Sequence, residues 1–159
     1  MLISFGSYRI FIQAFTTPIM ALNISNLDLA GKIIVIVEDD LPSIMYYETL
    51  LKNTGAEVYV FRTGKDFVDY LSEGNRKVDL LFIDFLVPFV NGIDCTRIFR
   101  KTNKSTPVLM VTAYSSDQTK TESFLAGCNE FVLKPVYPEK IFFLLEKYLL
   151  REVRVPESL

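Results

Sequence analysis

The stretch IIVIVEDD, residues 33–40, decides how the rest of the chain is read. Ile33 to Val37 are consecutive β-branched residues, which suits a strand covered on both faces, as in a parallel sheet, better than a strand with one wet face. Glu38, Asp39 and Asp40 then crowd the carboxyl end of that strand. Close like charges repel by about a few kcal/mol per pair at an effective dielectric of ~20. Either water solvates the acids in a turn, with Asp40 capping the next helix, or a positive group sits among them.

Downstream, strand and helix signals alternate. LPSIMYYETLLKNTGAE, residues 41–57, places Pro42 in a first helical turn, carries apolar residues at helical spacing and stops near Gly55. VYVF (58–61) reads as a strand, GKDFVDYLSEG (64–74) as a helix closed by Gly74, and VDLLFID (78–84) as a second buried strand ending in an acid, Asp84. A helix near GIDCTRIFRK (92–101) leads to the strand PVLMVTA (107–113), the helix SDQTKTESFLAG (116–127), the strand EFVLKP (130–135) and a last helix, PEKIFFLLEKYLL (138–150). Five βα units in this order imply an α/β fold, a parallel sheet with helices on both faces. Right-handed crossovers place the loops after the strands along one edge.

That edge collects Glu38 and Asp39 from the first strand, Asp84 from the third, Thr112 and Ala113 from the fourth, and Lys134 and Pro135 from the fifth. Each alone has a plain structural reading: a helix-approach acid, a β-former, a surface amine, a loop stop. Together they stand where ligands bind in an open α/β sheet. Carboxylates, a hydroxyl and a lysine make a hard-oxygen site suited to Mg2+ and a phosphoryl group.

Composition narrows the field. The 159 residues, 50% hydrophobic and 23% charged, describe one globular domain. Lys and Arg number 17 against 19 Asp and Glu, a net charge of −2, so there is no basic footprint for nucleic acid or an anionic membrane. Cys95 and Cys128 form neither a metal-site spacing nor a disulfide framework, and read as buried thiols of a reducing cytoplasm. There is no histidine, which excludes histidine triads, histidine-metal sites and any phosphohistidine on this chain. Residues 1–29 are expected as an N-terminal extension. YRIFIQAFTTPIMAL within them is too short and too interrupted to span a bilayer and lacks the charged start and cleavage site of a good signal peptide. A loosely docked extension, a remnant of a longer upstream region and a true start at Met20 remain open.

IVEDD, DFLVPFVNG, VTA and EFVLKP, in this order and at these intervals, resemble the response-regulator receiver domain, of which CheY is the familiar member. The resemblance covers about residues 30–151, leaving 152–159 as a tail without a DNA-binding domain. LAGK, TGAEV and AGCNEF are similar to receivers of hybrid histidine kinases. It implies a flavodoxin-like or CheY-like (βα)5 fold with strand order 2-1-3-4-5, an order for which CheY is itself the stock example. It makes Asp84 the phosphoacceptor, taking a phosphoryl group from the phosphohistidine of a histidine kinase or histidine phosphotransfer protein. By the same resemblance Asp39 ligates Mg2+ directly, Glu38 acts on it through water, and Asp84 and the Leu86 carbonyl complete the protein ligands. Lys134, the Thr112 hydroxyl and the Ala113 amide meet the phosphoryl group. Thr112 and Phe131 form a switch that changes the surface from the fourth strand through the last helix for an unidentified downstream protein. Oligomeric state stays open, a transient dimer included. A cis Lys134–Pro135 bond would match the family.

The chain departs from the family pattern at Leu86, at the apolar pair Phe89 and Val90, and at Tyr114, and these bear on the lifetime of the phosphorylated state. A degenerate receiver that only docks is the alternative reading. A haloacid-dehalogenase-type hydrolase needs a second Asp where Leu86 stands, and a flavodoxin-like FMN binder needs a hydroxyl-rich loop where the chain has acids.

Overall fold

The structure is a computed structural model that describes residues 27–74 and 76–150. Residues 1–26 of the expected extension and the tail 152–159 lie outside the described residues. The elements are β1 (Ile33–Val37), α1 (Leu41–Leu51), β2 (Glu57–Phe61), α2 (Gly64–Ser72), β3 (Leu80–Ile83), α3 (Gly92–Thr102), β4 (Val108–Thr112), α4 (Asp117–Ala126), β5 (Glu130–Leu133) and α5 (Pro138–Leu145), which continues into a π-helical turn, Glu146–Leu150. All strand pairs are parallel, in the expected order β2-β1-β3-β4-β5.

Period-two alternation splits the core between the two sheet faces. Ile34, Ile36, Leu80, Phe82, Leu109 and Val111 pack with Tyr47 and Leu51 of α1 and Ile141, Phe142 and Leu145 of α5. Val35, Val37, Leu81, Ile83, Val108 and Met110 pack on the other face with Phe67 of α2 and Ile93 and Phe99 of α3. Burying a side chain of this size stabilises by roughly 1.5–3 kcal/mol each before chain entropy is counted, which is why uninterrupted aliphatic runs settle at the sheet centre. Leu29 joins the first cluster at 1% exposure, and its amide donates to the Thr54 carbonyl. Packing therefore begins within the segment read as extension.

Local chemistry sets the helix starts. Asp40, Thr63, Asn91 and Ser116 each accept a backbone N–H three residues on, satisfying donors that the helix itself leaves open. α1 ends at Leu51 rather than near Gly55: the Thr54 hydroxyl donates to the Leu51 carbonyl and Gly55 takes φ 76°, turning the chain toward β2. α5 gives way to the π-helical turn at Glu146, whose Lys147 and Tyr148 both reach Glu130 of β5. Among the described residues no helix is long and apolar enough to cross a membrane.

Candidate functional site

Register brings the strand ends to one edge. Val37 lies beside Ile83 and Ile83 beside Met110, while β4 and β5 run on to the pair Thr112 and Leu133, so Glu38, Asp84, Ala113 and Lys134 leave the sheet along that edge. There the Lys134 Nζ donates to Glu38 Oε2 at 2.6 Å and to Asp84 Oδ2 at 2.7 Å. Glu38 is 2% and Asp84 8% exposed. The second oxygen of each acid takes a backbone amide, Asp40 N–H for Glu38 and Leu86 N–H for Asp84. Burial holds the Glu38 carboxyl above its ordinary range although Lys134 pulls the other way. Burial also opposes the Lys134 charge, but hydrogen bonds to Asp84 and Glu38 outweigh it and raise the ammonium's pKa.

The three opening acids thus divide the two readings between them. Asp40 is the helix cap, Glu38 has the positive group, and Asp39 is half-buried. Arg62 donates to the Asp39 carbonyl, while its carboxylate takes no hydrogen bond or ion pair from the described residues.

The remaining expected residues surround this pair. Thr112 is fully buried; its hydroxyl accepts from Tyr114 N–H, and its carbonyl accepts from Lys134 N–H. Ala113 is exposed. Phe131 is half-buried against the cluster on the α2 and α3 face. Leu86 and Tyr114 are exposed, and the Tyr114 ring packs 5.4 Å from Phe85. The Lys134–Pro135 peptide is cis.

As a metal site the arrangement offers carboxylate and carbonyl oxygens, which suit a hard cation such as Mg2+. The described residues gather no group of three or more acids, cysteines or histidines around one point. Lys134 holds one oxygen of Asp84 and one of Glu38 instead. The donor types fit Mg2+; Asp39 has a carboxylate that no described residue engages and that it could contribute.

Some site residues carry no signal that a sequence reader can use. Tyr46, Tyr47, Ala113 and Lys134 line a cavity of about 530 Å³, and the Tyr46 hydroxyl ties α1 to the Val136 carbonyl after β5. Both tyrosines read as ordinary helix apolar positions. Gly64 looks like a helix start, yet a Cβ there would fall 1.8 Å from the Val90 carbonyl oxygen of the Asp84 loop. Its amide donates to the Pro88 carbonyl of the same loop. Between these two contacts Phe89 takes φ 68° and leaves its side chain 83% exposed, a left-handed conformation that costs a bulky residue roughly 1–2 kcal/mol.

The chain matches the family model of the response regulator receiver domain over residues 34–146. It is 30% identical over 119 residues to the transcriptional regulatory protein CitT of Halalkalibacterium halodurans, a match covering 73% of this chain and 51% of that protein. It is 28% identical over 123 residues to the hybrid signal transduction histidine kinase C of Dictyostelium discoideum, covering 72% of this chain and 10% of the kinase. The chain therefore spans about half the length of CitT and a tenth of the kinase. Among solved structures, the magnesium-coordinated receiver domain of the sensor histidine kinase PA1611 from Pseudomonas aeruginosa superposes with TM-score 0.67 at 23% identity, covering 76% of this chain and 98% of that one. On its fold and on the family match, the chain belongs to the response regulator receiver domains of two-component signalling.

Proposed function

We propose that this receiver accepts a phosphoryl group on Asp84 from the phosphohistidine of a histidine kinase or histidine phosphotransfer protein. The observation that carries the reading is the Lys134 ammonium bonded to both Glu38 and Asp84 at the carboxyl edge of the sheet. In the transfer, the donor's P–N bond breaks with its electron pair returning to the imidazole, and a P–O bond forms to an Asp84 oxygen, giving an acyl phosphate. Positioning and charge compensation are nearly all that a protein contributes to such a step.

Asp39, Asp84 and the Leu86 carbonyl, with Glu38 behind them, would hold Mg2+, which would supply positive charge to the phosphoryl oxygens; the PA1611 receiver coordinates magnesium in its active-site cleft. Lys134 shifts its hydrogen bond from Asp84 to the incoming group. The Thr112 hydroxyl, already accepting from Tyr114 N–H, has its own proton to donate to a phosphoryl oxygen, and the Ala113 amide donates beside it. Movement of Thr112, with Phe131 filling the vacated space, alters the surface of β4, α4, β5 and α5 that a downstream protein reads. The domain assists its own phosphorylation and dephosphorylation and works in the cytoplasm, which suits its buried free thiols. A docking module without phosphorylation would have no use for Glu38, Asp39, Asp84, Thr112 and Lys134 together.

The test is incorporation from a small-molecule phosphodonor in Mg2+. Wild type takes up phosphate at a single site and Asp84→Asn takes up none; undiminished labelling of the variant would refute the assignment. Beryllofluoride binding should require Mg2+, since without the metal the anion meets several acids.

A further inference from the structure

We infer that the loop from Phe85 to Val90 carries an apolar docking rim for a protein phosphodonor, with Phe89 as its anchor. This rests on the phosphotransfer reading and names the kind of surface that brings the phosphoryl group.

Phe89 contributes nothing visible to the fold. Its side chain is 83% exposed, belongs to neither core cluster and makes no ring contact with a described residue. Its backbone sits at φ 68°, where Asn or Gly would rest with less strain. The loop's shape is fixed by main-chain groups on either side of it: the Pro88 carbonyl accepts from the Gly64 and Val90 amides. An exposed aromatic on a strained backbone at a reaction site points outward, away from the described residues.

Neighbouring side chains extend the same surface. Leu86 is 57% and Tyr114 47% exposed, and the Phe85 ring lies 5.4 Å from that of Tyr114. No charged residue occurs from Phe85 to Val90 or from Ala113 to Ser116. Asp84 is only 8% exposed, so a donor that reaches it has to lie across the mouth these loops form. Its phosphoryl charge meets Lys134, while on the side of these two loops the surface around its phosphohistidine meets side chains without charge. The matching partner is a protein with apolar side chains flanking that histidine, and an aromatic anchor at such a contact carries a disproportionate share of the binding.

Phosphoimidazole and a panel of phosphorylated histidine phosphotransfer proteins serve as donors, using the protein of the panel that labels wild type fastest. Phe89→Asn should keep the phosphoimidazole rate within about twofold and lose at least about tenfold in kcat/KM with the protein donor, while Phe89→Leu retains most of it. Phe89→Asn should also unfold at a higher urea concentration than wild type, which separates lost docking from lost structure. Unchanged transfer from the protein donor, a wild type labelled no faster by any protein of the panel than by phosphoimidazole, or a lowered urea midpoint would overturn the inference and leave the phosphoacceptor reading standing. A concentration-dependent dimer abolished by Phe89→Asn would assign the rim to a second copy and overturn it too. Failure of phosphoimidazole to label wild type at all would remove the phosphoacceptor reading and this inference with it.

Discussion

Replacing Lys134 by Met leaves Glu38 and Asp84 facing one space with no cation between them. The ammonium stands 2.6 Å from one carboxylate and 2.7 Å from the other, attractions of roughly 6 kcal/mol apiece at an effective dielectric of 20, before the desolvation of all three groups is set against them. The net loss has a ceiling, because the variant relieves the repulsion by protonating Glu38. The ordinary pKa of that carboxyl is 4.5, so holding a proton at pH 7 costs about 1.4 kcal/mol over each of roughly 2.5 pH units, about 3.4 kcal/mol in all. Burial already keeps Glu38 raised in the wild type, so part of that cost is present there and the expected loss is about 2–3 kcal/mol. A carboxyl whose folded pKa is raised stabilises the fold below its unfolded pKa and withdraws that contribution as pH rises through the folded one. The variant's deficit should therefore be largest near neutrality and nearly close toward pH 4. Urea unfolding of both proteins from pH 4 to pH 8 measures it, with Glu38→Gln/Lys134→Met expected to lose most of the pH dependence. A deficit equal at both ends, or below about 1 kcal/mol at pH 7, would show that water rather than Lys134 compensates the two acids.

If Leu86 and Tyr114 flank the path of water to the phosphoryl group, as the family resemblance implies, phosphorylated wild type should decay over hours rather than seconds, since leucine cannot orient water and a tyrosine ring is bulky; a hundredfold slowing needs only about 2.7 kcal/mol of added barrier. Decay followed after donor removal in Mg2+ tests this, and loss within seconds, or Leu86→Asn and Tyr114→Glu both no faster than wild type, would disprove the shielding. Gly64→Ala forces its new Cβ against the Val90 carbonyl, 1.8 Å away without movement, and should lose about 1–3 kcal/mol in urea unfolding together with slower labelling from a small phosphodonor. Arg100→Lys gives up guanidinium bonds to the Gly127 carbonyl at 3.0 and 2.8 Å and to Asn129 Oδ1 at 3.0 Å. The expected loss is about 1.5–3 kcal/mol, read from the shift in urea midpoint.

The buried strands were legible because a parallel sheet asks for a pattern found in few other places. The strands Ile33–Val37, Leu80–Ile83 and Val108–Thr112 carry continuous apolar runs, and the residue after each run, Glu38, Asp84 and Thr112, is one that a core would not choose. Strand order came from the family resemblance, whereas the grouping of Glu38, Asp84, Thr112 and Lys134 along one edge followed from crossover geometry. Helix ends were less legible. Gly55 ends the turn after α1 rather than the helix itself, since a left-handed glycine marks where the chain reverses and not where the last helical hydrogen bond lies. The pairing of Lys134 with Glu38 was hidden for a different reason: the sequence shows charges, not which of two acids a flexible amine prefers when all are desolvated. Nothing in the letters PFVNG announces that the phenylalanine takes the left-handed turn, because the residues that usually do so, Asn91 and Gly92, stand just beyond it.

The contact between Glu38 and Lys134 joins residues 96 positions apart, and that distance gives the site a place in time as well as in space. As the chain leaves the ribosome, both acids emerge with the first three strands while the lysine is still to come. Until β5 docks on β4, Glu38 and Asp84 have no cation to shelter with and stay hydrated. Domains gather cooperatively once their last elements are available, so the pairing of both acids with Lys134 waits for the last strand of the sheet. A chain stopped before β5 would present Asp84 without its cation, and under the proposed function it would not accept a phosphoryl group. Chemistry assembled from both ends of a domain thus doubles as a check that the domain is complete.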